Sequence, residues 1–147
     1  MCRSVLVSAC LLGVCCRYDG RSNPNDAVLS LLGRDDINLI PVCPEQLGGL
    51  PTPRIPSERR DGRVMNRAAE DVTTHFVRGA EEGLRIAKIY GCQVAILKER
   101  SPSCGCGRIY DGSFTGMLTE GDGVTAELLL REGITVYGES QITEVFG

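Results

Sequence analysis

Cys10, Cys43 and Cys104 each stand a few residues beyond a short apolar run: Ser4–Ser8, Ile37–Val42 and Gln93–Leu97. Thiolates are soft ligands, and sites built from them select zinc, Cu(I) or iron–sulfur clusters. Eight cysteines against one histidine lean the choice toward iron–sulfur. A zinc site of three cysteines completed by Cys106, Glu45 or Cys16 remains the alternative. No Cys-x-x-Cys pair occurs, which disfavours zinc ribbons, zinc fingers and thioredoxin-type redox pairs. A [4Fe-4S] cube that only moves electrons normally takes four cysteines, whereas three leave one iron with an open position. An open coordination position is what distinguishes a catalytic metal site from a structural one. Glu45, two residues past Cys43, would stand near that position as a general base or acid toward water. Ser101, three residues before Cys104, is a second candidate for proton transfer or for holding a substrate.

For residues so far apart in sequence to act together, the elements carrying them must converge. Ser4–Ser8 is β-branched and apolar and runs into a tight turn at Ala9–Gly13, so it reads as a buried strand. Pro24 leads a short helix whose apolar residues Ala27, Val28, Leu31 and Leu32 share a face, ending near Gly33. Ile37–Val42 is a second strand. Between Gln46 and Arg63, Gly48, Gly49, Pro51, Pro53 and Pro56 predict a long irregular connection of the kind that is usually functional or disordered. Asn66 is expected to cap a helix from about Arg67 to Tyr90, with Val72, Phe76, Ala80, Leu84 and Ala87 at three- and four-residue spacing and Gly91 closing it. Gln93–Leu97 is a third strand, and a hairpin-like segment surrounds Asp111–Thr115. A helix from Asp122 or Thr125 to Leu130 then precedes a fourth strand, Ile134–Tyr137.

Strands alternating with helices imply right-handed crossovers and a mostly parallel sheet covered on both faces. The expectation is one three-layer α/β domain over residues 1–147, with about four strands in the order second, first, third, fourth. The carboxyl ends of parallel strands share one edge of the sheet, so the three cysteines would meet in one crevice beside the first strand. No dinucleotide fingerprint or Walker motif accompanies that strand.

The whole sequence sets outer limits on the function. With 147 residues the chain can build a real core without disulfide staples. A net charge of −3 offers no basic face for duplex nucleic acid, and no apolar run reaches membrane-spanning length. No charged and apolar leader opens the sequence, so a cytoplasmic location is expected, where thiols stay reduced and cysteine richness points to metal or thiol chemistry.

Several longer motifs go further. Ser8-Ala-Cys-Leu-Leu-Gly13, Cys16-Arg-Tyr-Asp-Gly20, Val42-Cys-Pro-Glu-Gln-Leu-Gly-Gly-Leu-Pro-Thr-Pro-Arg54, Ser101-Pro-Ser-Cys-Gly105 and Gly121-Asp-Gly-Val-Thr125 resemble the thiouracil desulfidase family over essentially the whole chain. The resemblance implies a [4Fe-4S] cluster on Cys10, Cys43 and Cys104, with Glu45 as the acid/base carboxylate and Ser101 as the assisting hydroxyl. It implies a hydrolytic, non-redox reaction on 2-thiouracil, 4-thiouracil or a 4-thiouridine nucleotide. The open iron would polarise the carbon–sulfur bond, and the products would be the uracil or uridine compound and hydrosulfide.

Other readings stand beside this one. The same cluster would suit a sulfur carrier or transferase that thiolates RNA or another acceptor, and the alternative to a cluster is a non-enzymatic zinc or redox-sensing module. Cys2, Cys15, Cys92 and Cys106 read as packed or incidental thiols, and packing is also the expectation for Cys16. His75 is expected mid-helix, outside the site. Arg17, Tyr18 and Asp19 either line the site or pin their loop by ion pairs. The arginines from Arg54 to Arg67 form either a solvated face or a cradle for a nucleotide phosphate.

Overall fold

The computed structural model describes residues 2–147. In chain order the elements are β1 (Arg3–Ser8), α1 (Asp26–Ser30), β2 (Ile37–Val42), α2 (Pro44–Leu47), β3 (Ser57–Arg60), β4 (Arg63–Asn66), α3 (Thr73–Ile89), β5 (Val94–Leu97), β6 (Arg108–Tyr110), β7 (Leu118–Glu120), α4 (Val124–Arg131), β8 (Thr135–Gly138) and α5 (Ile142–Phe146). A single 3-10 turn, Ala9–Leu12, follows β1 directly. It closes on Gly13, whose φ of 99° lies in the left-handed region that glycine adopts without steric cost.

The apolar runs form a four-stranded parallel sheet in the order β2-β1-β5-β8, which is the order expected from the sequence. In β1, Val5, Leu6 and Val7 are fully buried because both faces of the sheet are covered. Val5 and Val7 pack with Ile96 and with Val28, Leu31, Ile142 and Phe146 from the side of α1 and α5. Leu6 points the other way, among Ala95, Leu97 and Val136 and the apolar stripes of α3 and α4, Ala87, Ala126 and Leu129 among them. Strand alternation thus produces the three layers. Among the described residues no helix is long and apolar enough to cross a membrane.

Three expectations need correction. The main helix begins at Thr73, not at Arg67. Asn66 closes a turn instead of capping it, since its side chain exchanges hydrogen bonds with the backbone N–H and carboxylate of Glu70, and Asp71 Oδ1 accepts the Thr73 N–H. The Gln46–Arg63 segment is only partly irregular, because Ser57–Arg60 pairs antiparallel with Arg63–Asn66 across a turn at Asp61-Gly62. Pro24 lies outside α1, whose cap is Asn25, the Oδ1 of which accepts the Val28 N–H at 3.1 Å. The carboxyl-terminal α5 adds an element beyond those read from the sequence.

α2 matters for the site, because it carries Glu45 and directly follows Cys43. It lies against α3 through two glycines: a Cβ on Gly79 would fall on the Pro44 carbonyl, and one on Gly48 on the His75 carbonyl. Backbone against backbone fixes this single turn in a way that side-chain packing could not.

Candidate active site

β1, β2 and β5 end on the same edge of the sheet, and the segments that follow them wall a cavity of about 530 Å³. Cys10 lines it from the 3-10 turn after β1, Cys43 and Glu45 from the start of α2, and Ser101 and Cys104 from the loop after β5. All five residues picked out from the sequence therefore border one space. This edge is also the point where the order of the strands reverses, between β1 and β5, where ligands of open α/β sheets bind.

The loop holding Cys104 is tied back on itself. Ser101 Oγ accepts the N–H groups of Ser103 (3.1 Å) and Cys104 (2.8 Å), and the Gly105 N–H reaches the Ser101 carbonyl at 2.9 Å. With both of these donors spent on its oxygen, the Ser101 hydroxyl has its own proton left to give. Glu45 is likewise constrained. Its Oε1 accepts Nε of Arg54 at 2.9 Å, in a pair whose side chains are only 18% and 6% exposed, and its Oε2 makes no hydrogen bond among the described residues.

Sequence reasoning treated Cys16 as packing, and it is indeed buried, but its surroundings are those of the site. Its carbonyl accepts from Cys43 Sγ at 3.7 Å, and its thiol neighbours those of Cys10 and Cys43. The Cys10 sulfur beside it is the main reason the Cys16 thiol is pushed up to about 11, with burial adding to it. Its partnership with Cys16, followed by burial, pushes Cys43 up as well. Cys104 is pushed up to about 12, first by burial, with the Cys43 and Glu45 charges adding and hydrogen bonds from Ser8 and Ser103 opposing. Cys43 and Cys104 resist ionising on their own, so a positively charged group is what would turn them into thiolates. Among the described residues no three His, Cys, Asp or Glu side chains close on one point as a single ion requires. A polynuclear cluster takes each thiolate at a different corner, and three thiols spread around one cavity suit it.

The remaining candidates divide. Cys2 and Cys15 are exposed, Cys92 is buried and Cys106 is half-buried, and none of them borders the cavity. His75 sits in the first turn of α3, its Nδ1 2.9 Å from the Gly48 carbonyl, and takes no part. Arg17 and Tyr18 line the cavity, while Asp19 pins their loop through Arg17 at 3.2 Å and the Arg21 N–H at 3.0 Å. The arginine segment is not one cradle. Arg54 is spent on Glu45 and the backbone, and Arg59 on the Asp122 carbonyl and Glu127; Arg67 borders the cavity and stacks over Phe114 with its guanidinium carbon 5.5 Å from the ring centre. Phe114 lies outside the residues read as functional from sequence. It lines the cavity from the β6–β7 loop with φ of 59°, held by its N–H to Glu58 Oε1 at 3.0 Å.

A family model described as 2-thiouracil desulfurase matches residues 5–141. The chain belongs to that family. As a 2-thiouracil desulfurase family member it is an enzyme. It is similar to a solved structure described as a [4Fe-4S]-dependent thiouracil desulfidase, TudS, at 44% identity and a TM-score of 0.90, covering 98% of this chain and 95% of that one. A Bacillus subtilis (strain 168) relative, uncharacterized protein YbbK, is 38% identical across 96% of this chain and 99% of its own length. The family's sequence span takes in every residue of the cavity named above.

Proposed function

We propose that this enzyme is a [4Fe-4S]-dependent desulfidase that hydrolyses the carbon–sulfur bond of thiolated pyrimidines, exchanging sulfur for the oxygen of water and releasing hydrosulfide. The observation that carries the reading is that Cys10, Cys43 and Cys104 share one cavity with Glu45 and Ser101. Similarity to a [4Fe-4S]-dependent thiouracil desulfidase supports it.

In this reading Cys10, Cys43 and Cys104 hold the cluster, which when bound supplies a thiophilic, Lewis-acidic position for the sulfur of the substrate. Glu45 takes a proton from the attacking water through Oε2, the oxygen that Arg54 leaves free. Ser101 donates its remaining proton to the substrate as charge develops there. Tyr18 and Phe114 add aromatic side chains to the wall beside which a pyrimidine ring would sit. 4-Thiouridine and its nucleotide belong with 2- and 4-thiouracil among the substrates, because Arg17 and Arg67 stand on the cavity wall to meet a phosphate.

Substitutions separate the roles. After anaerobic reconstitution, Glu45→Gln is expected to keep its iron and lose at least about 100-fold in kcat, the span of general acid–base catalysis. Cys43→Ala is expected to lose iron and turnover together. Full-rate turnover by Glu45→Gln would remove the carboxylate from the mechanism.

A further inference from the structure

Glu45 is a long, flexible side chain on α2, a helix of one turn, and something must hold its carboxylate where the reaction needs it. We infer that Arg54 is the positioning residue for this reaction, locking the Glu45 carboxylate to the cysteine loop so that base and cluster pocket form one rigid unit. The inference rests on the proposed role of Glu45.

The guanidinium is almost fully buried, and every nitrogen has a partner. Nε donates to Glu45 Oε1 at 2.9 Å. Nη2 donates to the Cys16 carbonyl at 2.9 Å, and Nη1 to Thr52 Oγ1 at 3.0 Å and the Pro51 carbonyl at 3.2 Å. The Arg54 backbone N–H reaches the Tyr18 carbonyl at 2.8 Å, so main chain and side chain both grip the Cys16–Tyr18 loop. That loop in turn contacts the Cys43 thiol through the same Cys16 carbonyl. One planar fork thus spans the acid/base residue and the segment beside two of the three proposed ligands, while leaving Glu45 Oε2 unbonded. Only arginine presents donors in that fixed geometry; lysine offers a single ammonium that can satisfy Glu45 or the Cys16 carbonyl but does not reproduce the fork. Four of its five N–H donors are engaged in this way, so the guanidinium is committed to the wall of the cavity.

The test compares Arg54→Gln and Arg54→Lys in reconstituted enzyme by iron per chain, kcat and KM for 2-thiouracil, and crystal structures. Expected are wild-type iron content, an unchanged KM, and kcat lower by about 100-fold for Arg54→Gln, the loss that a displacement of about 1 Å in a reacting group produces. Arg54→Lys should fall between it and wild type. In the Arg54→Gln crystal the Glu45 side chain should leave its present position while the Cys10 and Cys43 backbone stays. In a Glu45→Gln background, Arg54→Gln should cost less than about 2-fold further, because the two act as a unit. Wild-type kcat in either variant, an unmoved Glu45, equal losses in both backgrounds, or failure of both variants to fold would each overturn the inference. Absence of any desulfidation by wild-type enzyme would instead defeat the proposed function, and the position of Glu45 in the crystal would still judge Arg54.

Discussion

Cys16, Cys43 and Cys104 hold their protons against a neighbour's sulfur or against burial, and this couples protonation to folding. In the cluster-free folded chain Cys16 stays a thiol up to about 11 and Cys104 up to about 12, whereas the ordinary thiol value is 9.0. Above pH 9 the unfolded chain therefore binds fewer protons than the folded one, and stability must fall as pH rises. Chemical denaturation of the cluster-free protein should show a lower midpoint at pH 10.5 than at pH 8, and a smaller drop in Cys104→Ala. A drop of the same size in Cys104→Ala would show that Cys104 does not hold its proton in the fold at pH 10.5. The loaded enzyme should lack the part due to Cys43 and Cys104, these ligands being thiolates already. The same residues show what a sequence can hide. Cys16 looks like any small buried thiol until the turn after β1 carries it back to Cys10 and Cys43. Arg54 looks like one of several loop arginines until its fork closes on Glu45. The nearest sequence signal for either was membership in a longer motif: Cys16-Arg-Tyr-Asp-Gly20 for the cysteine, and the proline-rich run ending at Arg54 for the arginine.

α2 is held by contact between backbones, and this makes two glycines of α3 unequal. Gly79→Ala would drive its methyl into the Pro44 carbonyl, and relief requires α2, with Glu45, to move off α3. The expected cost is about 1–3 kcal/mol by calorimetry or denaturant titration, with lower kcat from the displaced carboxylate. Gly83→Ala meets only Thr125 Cγ2 at 3.8 Å, so the higher helix propensity of alanine should make it neutral or stabilising by up to about 1 kcal/mol. Equal effects of the two substitutions would refute this account of the α2–α3 contact. Elements with a strong periodic signal were legible: Ile37–Val42 has the same bounds in sequence and structure, and the stripe Phe76, Ala80, Ala87 is the buried face of α3. The start of α3 was not, because Asn66 satisfies its side chain in a turn with Glu70 that competes with capping. Nor was the β3–β4 hairpin. Its strands, Ser-Glu-Arg-Arg and Arg-Val-Met-Asn, lack clear alternation, and Glu58 owes its place to the backbone of a distant loop at Gly112 and Phe114.

Across the whole molecule, the sheet order decides where chemistry happens. Placing β1 between β2 and β5 puts three strand ends side by side, so segments separated by dozens of residues contribute to one cavity. The parallel sheet with right-handed crossovers was readable from strand and helix succession alone; the roles of the facing loops emerge only in the folded structure. The central claim is that this convergence assembles a cluster-dependent desulfidase. It is tested most directly by reconstituting the chain with iron and sulfide under anaerobic conditions, then counting iron per chain and following the absorbance of 2-thiouracil together with released hydrosulfide. About four irons per chain, with hydrosulfide release that tracks cluster content and needs no added activator or reductant, is the result predicted. Four irons without hydrosulfide release, or release independent of iron, would contradict it.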